Sequence, residues 1–184
     1  MGGTAWGLRV AETGGAARTR GADDRDFAAV VEQELPGAYR TALLLLGDGG
    51  EAEDAVQDAL ARAWQRWGQL RDPARAGAWF GRILLNACRD RLRARRPAVR
   101  WIGEPRAGDP ESVFAEREAL GAAMSSMSAD QRIVLVLRFY LDLSVEEIAA
   151  RTGAPQATVR SRLRLALTAA RAAYEAQDRV EGRR

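Results

Sequence analysis

Five polar side chains stand in register between residues 82 and 96: Arg82, Asn86, Arg89, Arg93 and Arg96. Steps of four, three, four and three residues return each of them to one face of an α-helix. Four guanidinium groups in one row, with no acidic residue among them, repel one another unless something anionic lies alongside. The chemistry such a row performs is contact with nucleic acid. Arginine holds phosphates through a forked set of donors, and Asn86 can bond a base edge. The plain alternative is a solvated face, or, for Arg82, pairing with an acidic residue of the preceding helix. A second set, Gln156, Thr158, Arg160, Ser161 and Arg164, together with Arg162, falls on the outer surface of another helix. These are side chains that meet phosphates and base edges in a major groove. A third set is acidic and polar. Glu53, Asp54, Gln57 and Asp58 lie at i, i+1, i+4 and i+5, on one side of a helix, where they either serve solubility or meet the basic groups of a partner.

Other chemistry is excluded by what the chain lacks. It has no histidine, which removes histidine-based acid–base catalysis, the Ser-His-Asp triad and most zinc sites. Cys88 is the only cysteine, so there is no internal disulfide and no cysteine metal cluster; it falls in an apolar helical pattern and reads as buried filler. No phosphate loop or paired-carboxylate motif occurs. The reading is therefore a chain with no catalytic residues, no metal and no cofactor. Every basic residue is arginine, and the net charge of +3 conceals an asymmetry. Residues 48–58 carry Asp48, Glu51, Glu53, Asp54 and Asp58 and no basic residue, whereas residues 71–106 carry ten arginines against Asp72, Asp90 and Glu104, a local net of +7. One acidic and one basic face imply two different partners. Residues 1–23 contain no apolar run resembling a leader, and no segment approaches a membrane span, so no membrane insertion and a cytoplasmic location are expected.

The elements that must position these sets are all helical. Residues 1–23 are rich in Gly, Ala, Thr and Arg without a period and read as a disordered tail. Phe27, Val30, Val31 and Leu35 suggest a first helix interrupted near Pro36; a second runs over 37–46 and stops at Gly47-Asp48-Gly49-Gly50. A third helix spans 51–67, with Val56, Leu60, Ala63, Trp64 and Trp67 as its apolar stripe. Asp72-Pro73 starts a fourth, which runs to Arg96 and buries Phe80, Ile83, Leu84, Ala87, Cys88 and Leu92. Trp64, Trp67, Trp79 and Phe80 flank the intervening loop; their periodicity favours core over a stacking platform for a base. Residues 97–112, with three prolines and two glycines, form a flexible linker.

Beyond the linker, helices are expected at 113–124, 129–140, 144–151 and 155–174, followed by a tail over 176–184. Ser128 with Gln131, and Ser144 with Glu147, make capping boxes. The stretch 144–170 reads as a helix-turn-helix: Ala149 is the small contact, Gly153 the turn, Pro155 a residue of the opening turn, and Val159 and Leu163 the inner face of the second helix. The fold class is all-α, two small helical domains (24–96 and 113–175) joined by a linker, the C-terminal one containing the helix-turn-helix.

Three stretches in this order resemble a known family. GDGGEAEDAVQDALARAWQRW is similar to the second conserved region of bacterial sigma-70-type sigma factors. AWFGRILLNACRDRLRARR resembles the promoter-melting, −10 recognition helix that follows it. SADQRIVLVLRFYLDLSVEEIAARTGAPQATVRSRLRLAL resembles the fourth region, which reads the −35 element. The resemblance covers residues 26–173, and the lack of a central third domain is similar to the extracytoplasmic-function (ECF) subgroup. It implies that Glu53, Asp54, Gln57 and Asp58 bind core RNA polymerase at the clamp helices of β′, with a further contact to the β subunit. It implies that Arg82, Asn86, Arg89, Arg93 and Arg96 contact −10 DNA, with loop 68–75 near a flipped base. It implies that Gln156, Thr158, Arg160, Ser161 and Arg164 face the −35 duplex. Leu165 stands where many relatives carry arginine, and Ala157 where glycine is usual. In the family the linker threads near the active cleft of the polymerase, where Asp109 and Glu111 would imitate nucleic acid; a plain tether is the alternative. Sigma factors of this size are often held by an anti-sigma protein, a further partner that no residue here proves. The expectation is a sigma factor that directs promoter-specific initiation. The alternative is a free-standing helix-turn-helix regulator of duplex DNA, which has no need of the acidic helix.

Overall fold

The computed structural model describes residues 20–94 and 120–181, and every regular element among them is helical. Residues 1–19, Arg96, the linker at 97–112, residues 113–119 of the helix expected at 113–124, and residues 182–184 lie outside the described residues. Helix α1 spans Arg20–Leu46, α2 Gly49–Arg66 and α3 Ala76–Ala94. Residues 120–126 are helical (α4), followed by α5 at Ala129–Phe139, α6 at Val145–Thr152 and α7 at Gln156–Glu181.

Helix boundaries follow local chemistry. Asp48 caps α2 by accepting from the Glu51 amide at 2.8 Å. Asp72 accepts from the Ala74 amide and opens a single turn at Pro73–Arg75 that leads into α3. Both capping boxes form: Ser128 with Gln131 on α5, and Ser144 with Glu147 on α6. The Ser144 amide, and then its hydroxyl, hold the Glu147 carboxyl below its ordinary value. Gly153 ends α6 with φ 72°, the left-handed conformation that glycine adopts without a Cβ penalty.

Three expectations about helix extent are corrected. Pro36 does not interrupt α1, which continues through it to Leu46. Proline removes one amide donor, but Pro36 and Glu32 are both exposed, so water can satisfy the Glu32 carbonyl. The turn is further braced by Arg40, whose Nε donates to the Pro36 carbonyl, and by Thr41, whose hydroxyl donates to the Gly37 carbonyl. The chain is also already helical at Arg20, inside the tail expected over 1–23, and α7 runs on to Glu181 where a tail was expected from 176.

In the first domain α1, α2 and α3 pack against one another. The centre of the buried face of α2 is a row of small residues, Ala52, Ala55, Ala59 and Ala63, which lets neighbouring backbones approach closely. Of the larger residues expected there, Val56 is buried, whereas two stand at its edge: Leu60 is partly buried and Trp64 is exposed. Phe27 holds Trp64 and Trp67 in edge-on contacts at 5.1 and 5.2 Å, and Trp67 meets Trp79 at 6.1 Å. The expected buried side of α3 is buried, except that Leu92 is only partly covered; Leu85, which the periodicity did not select, is buried too. In the second domain α5 packs on α7 and α6 around Ile133, Val134, Leu137, Ile148 and Val159. The buried residues of both domains belong to one hydrophobic cluster, and α3 touches α5 and α6 while α1 touches α5.

Candidate nucleic-acid and protein-binding faces

The arginine row of α3 runs along the border with the second domain; Arg89 is partly buried there, whereas Arg82, Asn86 and Arg93 remain exposed. Arg89 Nε donates to Asp130 Oδ1 at 2.8 Å, and Arg93 Nη2 donates to Asp130 Oδ2 at 3.2 Å. Arg89 also donates to the Asn86 side-chain oxygen at 2.6 Å, which fixes the amide orientation. Arg82 Nη2 donates to the Ala150 carbonyl at the end of α6, at 2.8 Å, rather than to an acidic residue of α2. The anion that the row's repulsion demands is thus supplied from within the chain. Four of the five predicted members, Arg82, Asn86, Arg89 and Arg93, are brought together on this face.

The acidic side of α2 is also partly engaged internally. Arg91, on the opposite edge of α3 and outside the predicted set, donates to Asp58 at 2.7 Å and lies 3.5 Å from Asp54. Both carboxylates still have half or more of their side-chain surface exposed. Glu53 and Gln57 are exposed as well, so the whole set is available on one outer side. Spacing could have revealed Arg91 only if α2 and α3 were known to lie side by side.

On α7 the reading residues are split. Arg160, Ser161, Arg164 and Gln156 are exposed, and Thr158 is half-buried. Gln156 accepts from Arg160 Nη2 at 3.0 Å, one helical turn away, which pre-orients the guanidinium. Arg162 is corrected: it does not belong to the outer surface. It follows Val159 by three residues and precedes Ala166 by four, both fully buried, so it turns inward and donates to Asp130 at 2.9 Å. Leu165 and Leu167 are exposed beside the recognition face.

Among the described residues no catalytic constellation emerges. Cys88 is buried in the first-domain core, and burial pushes its thiol up to about 12, with the Arg91 charge opposing only in part. At neutral pH it is a thiol, not a nucleophile. Among the described residues no group of acidic or sulfur side chains could hold a metal ion, and no helix is long and apolar enough to cross a membrane.

Known proteins share both halves of this arrangement. Residues 30–97 match Sigma-70 region 2, and residues 117–169 match Sigma-70, region 4. The RNA polymerase sigma-E factor of Streptomyces antibioticus is 33% identical over 156 residues, covering 83% of this chain and 87% of that protein. The ECF RNA polymerase sigma factor SigL of Mycobacterium tuberculosis is 34% identical over 151 residues, 78% of this chain and 85% of that one. Among solved structures, the sigma factor RpoE from Bartonella quintana, in complex with the anti-sigma factor NepR, superposes with a TM-score of 0.64 at 24% identity, covering 82% of this chain and 98% of that one. CnrH in complex with the cytosolic domain of CnrY gives a TM-score of 0.63 at 25% identity, covering 83% and 90%. With both regions in order on an all-helical frame, and with relatives aligned over most of their length, the chain belongs to the sigma-70 family, in its ECF subgroup.

Proposed function

We infer that this protein binds core RNA polymerase, directs it to a promoter through the −35 and −10 elements, and catalyses no reaction of its own. The observation that carries the reading is the similarity to ECF sigma factors over 83% of the chain, with both regions in order. The acidic outer side of α2 supports it over a free-standing regulator of duplex DNA, because such a regulator needs only the helix-turn-helix. In this reading Glu53, Asp54, Gln57 and Asp58 meet the β′ clamp helices, with a further contact to β. Arg82, Asn86, Arg89, Arg93 and Arg96 hold the melted −10 strand, and Gln156, Thr158, Arg160, Ser161 and Arg164 face the −35 duplex. Such a protein works in the cytoplasm. The anti-sigma factor NepR bound to the similar RpoE supports a partner of that kind as a second ligand here. Run-off transcription with core polymerase on a genomic library tests the activity and identifies the promoter together. Transcripts that start at discrete sites only when this chain is added are expected; the same pattern with core alone would overturn the reading.

The exposed, Gln156-braced guanidinium of Arg160 leads to a specific expectation at the −35 element. Arg160 lies in the first turns of α7, the part of a recognition helix that enters the major groove. A forked arginine–guanine contact contributes about 1–3 kcal/mol of discrimination. Arg160→Ala should therefore weaken transcription mainly at promoters with an intact −35 element and relax preference at one position of it. A −35 saturation library transcribed by wild type and variant gives the profile; an unchanged profile would remove Arg160 from the readout and leave Arg164 next.

A further inference from the structure

The two domains meet through one carboxylate. Asp130, in the first turn of α5, accepts from Arg89 and Arg93 of α3 on one side and from Arg162 of α7 on the other. Two further bonds cross the same boundary. Arg82 of α3 reaches the Ala150 carbonyl, and Arg132 of α5 reaches the Leu45 carbonyl of α1 at 3.0 Å. The side chains of Asp130, Arg89 and Arg162 are only 18%, 15% and 27% exposed, so these pairs are shielded, whereas Arg93 reaches Asp130 from a side chain 61% exposed. Partial burial removes much of the solvent screening that makes exposed ion pairs weak.

A carboxylate oxygen and a phosphate oxygen are the same kind of acceptor for a guanidinium fork. Asp130 therefore occupies, for Arg89 and Arg93, the place a backbone phosphate would take. We propose that Asp130 is an internal stand-in for a phosphate of single-stranded DNA: it keeps the isolated chain closed with Arg89, at the middle of the α3 row, covered, and a strand takes Arg89 and Arg93 only by displacing it. The proposal rests on the reading of the α3 row as a DNA-binding face.

Charge makes the closed state displaceable. Among the described residues one carboxylate faces three guanidinium groups at the junction, an excess of two positive charges. A strand with several phosphates neutralises this row more fully than Asp130 does, and it releases counterions as it binds. Free chain thus meets single-stranded DNA with a handicap equal to its fraction in the closed state. The recognition face of α7 carries no such handicap, because Arg160, Ser161 and Arg164 stay exposed in the same closed chain. The device gates strand capture and leaves duplex contact open. Whatever separates α3 from α5 and α6, core polymerase included, uncovers Arg89.

The test uses the full chain without polymerase. Binding of a fluorescein-labelled 20-nucleotide oligo-dT is followed by anisotropy, and chain dimensions by small-angle scattering. Asp130→Asn keeps the size of the side chain and removes its charge. It should bind oligo-dT about tenfold more tightly than wild type and show a larger radius of gyration. Adding Arg89→Ala and Arg93→Ala to Asp130→Asn should abolish the gain. Equal oligo-dT affinity for wild type and Asp130→Asn overturns the proposal, whether or not the radius changes. Should Asp130→Asn lose its helical circular dichroism, wild type alone decides: saturation with oligo-dT must expand the chain, and binding without expansion overturns the proposal. Loss of the sigma-factor reading would register separately, as failure of core-dependent run-off transcription by wild type.

Discussion

Arg132→Ala is expected to destabilise the protein by about 2–4 kcal/mol, a large effect for one surface-type residue. Arg132 is 6% exposed, on a helix whose inner face is otherwise Ile133, Val134, Val136 and Leu137. Its guanidinium donates to the Leu45 carbonyl in the last turn of α1 and to the Met124 carbonyl in the last turn of α4. Carbonyls at a helix C-terminus lack intrahelical donors and carry the negative end of the helix dipole. One fork of donors therefore reaches two helix ends from different domains, where the dipoles favour its positive charge. Truncation leaves both acceptors without this donor and opens a void around the lost stem. The expected result is a lower urea midpoint and faster amide exchange in the last turns of α1 and α4 together. Arg132→Lys should recover only part of the loss, since one ammonium cannot match the fork. An unchanged midpoint in Arg132→Ala would show that these bonds add nothing net to stability.

How much of this was legible in the sequence follows from the range of the interactions. Both capping boxes, the Asp72-Pro73 start and the Gly153 turn depend on residues within a few positions of each other, and each is found as read. The all-helical class and the order of the two regions come from periodicity and family likeness, which also need no tertiary knowledge. Pro36 was misread because proline is usually a breaker, and only its exposure on α1 shows why the helix survives it. Of the apolar stripe read on α2, Val56 and Ala63 are buried, whereas Leu60 and Trp64 stand at the edge and packing selects Ala52, Ala55 and Ala59 instead. Charge repulsion correctly signalled that the α3 row needs an anion. It could not name Asp130, which lies 41 residues beyond Arg89 on another domain. Arg132 lies in the densest apolar run, and the Leu45 and Met124 carbonyls to which it donates leave no mark in a sequence.

The second large effect concerns the outer side of α2. Glu53→Arg combined with Gln57→Arg is expected to lower affinity for core polymerase about a hundredfold, the scale on which like charges across an interface act. The choice of pair comes from the structure. Asp54 and Asp58 both lie against Arg91, and Asp58 accepts from it at 2.7 Å. Reversing those two would crowd three guanidinium groups between α2 and α3, so loss of binding could not be separated from loss of packing. Glu53 and Gln57 are exposed on the same side, one turn apart, and make room for long side chains. Arginine is also a good helix former, so α2 itself should be unaffected. Competition with a labelled sigma factor for core polymerase measures the affinity, and circular dichroism checks the helix content. Unchanged affinity with intact helicity would mean that core polymerase does not dock on this side of α2. In that case Asp54 and Asp58 would be left with their visible role, holding Arg91 and so fixing α2 against α3.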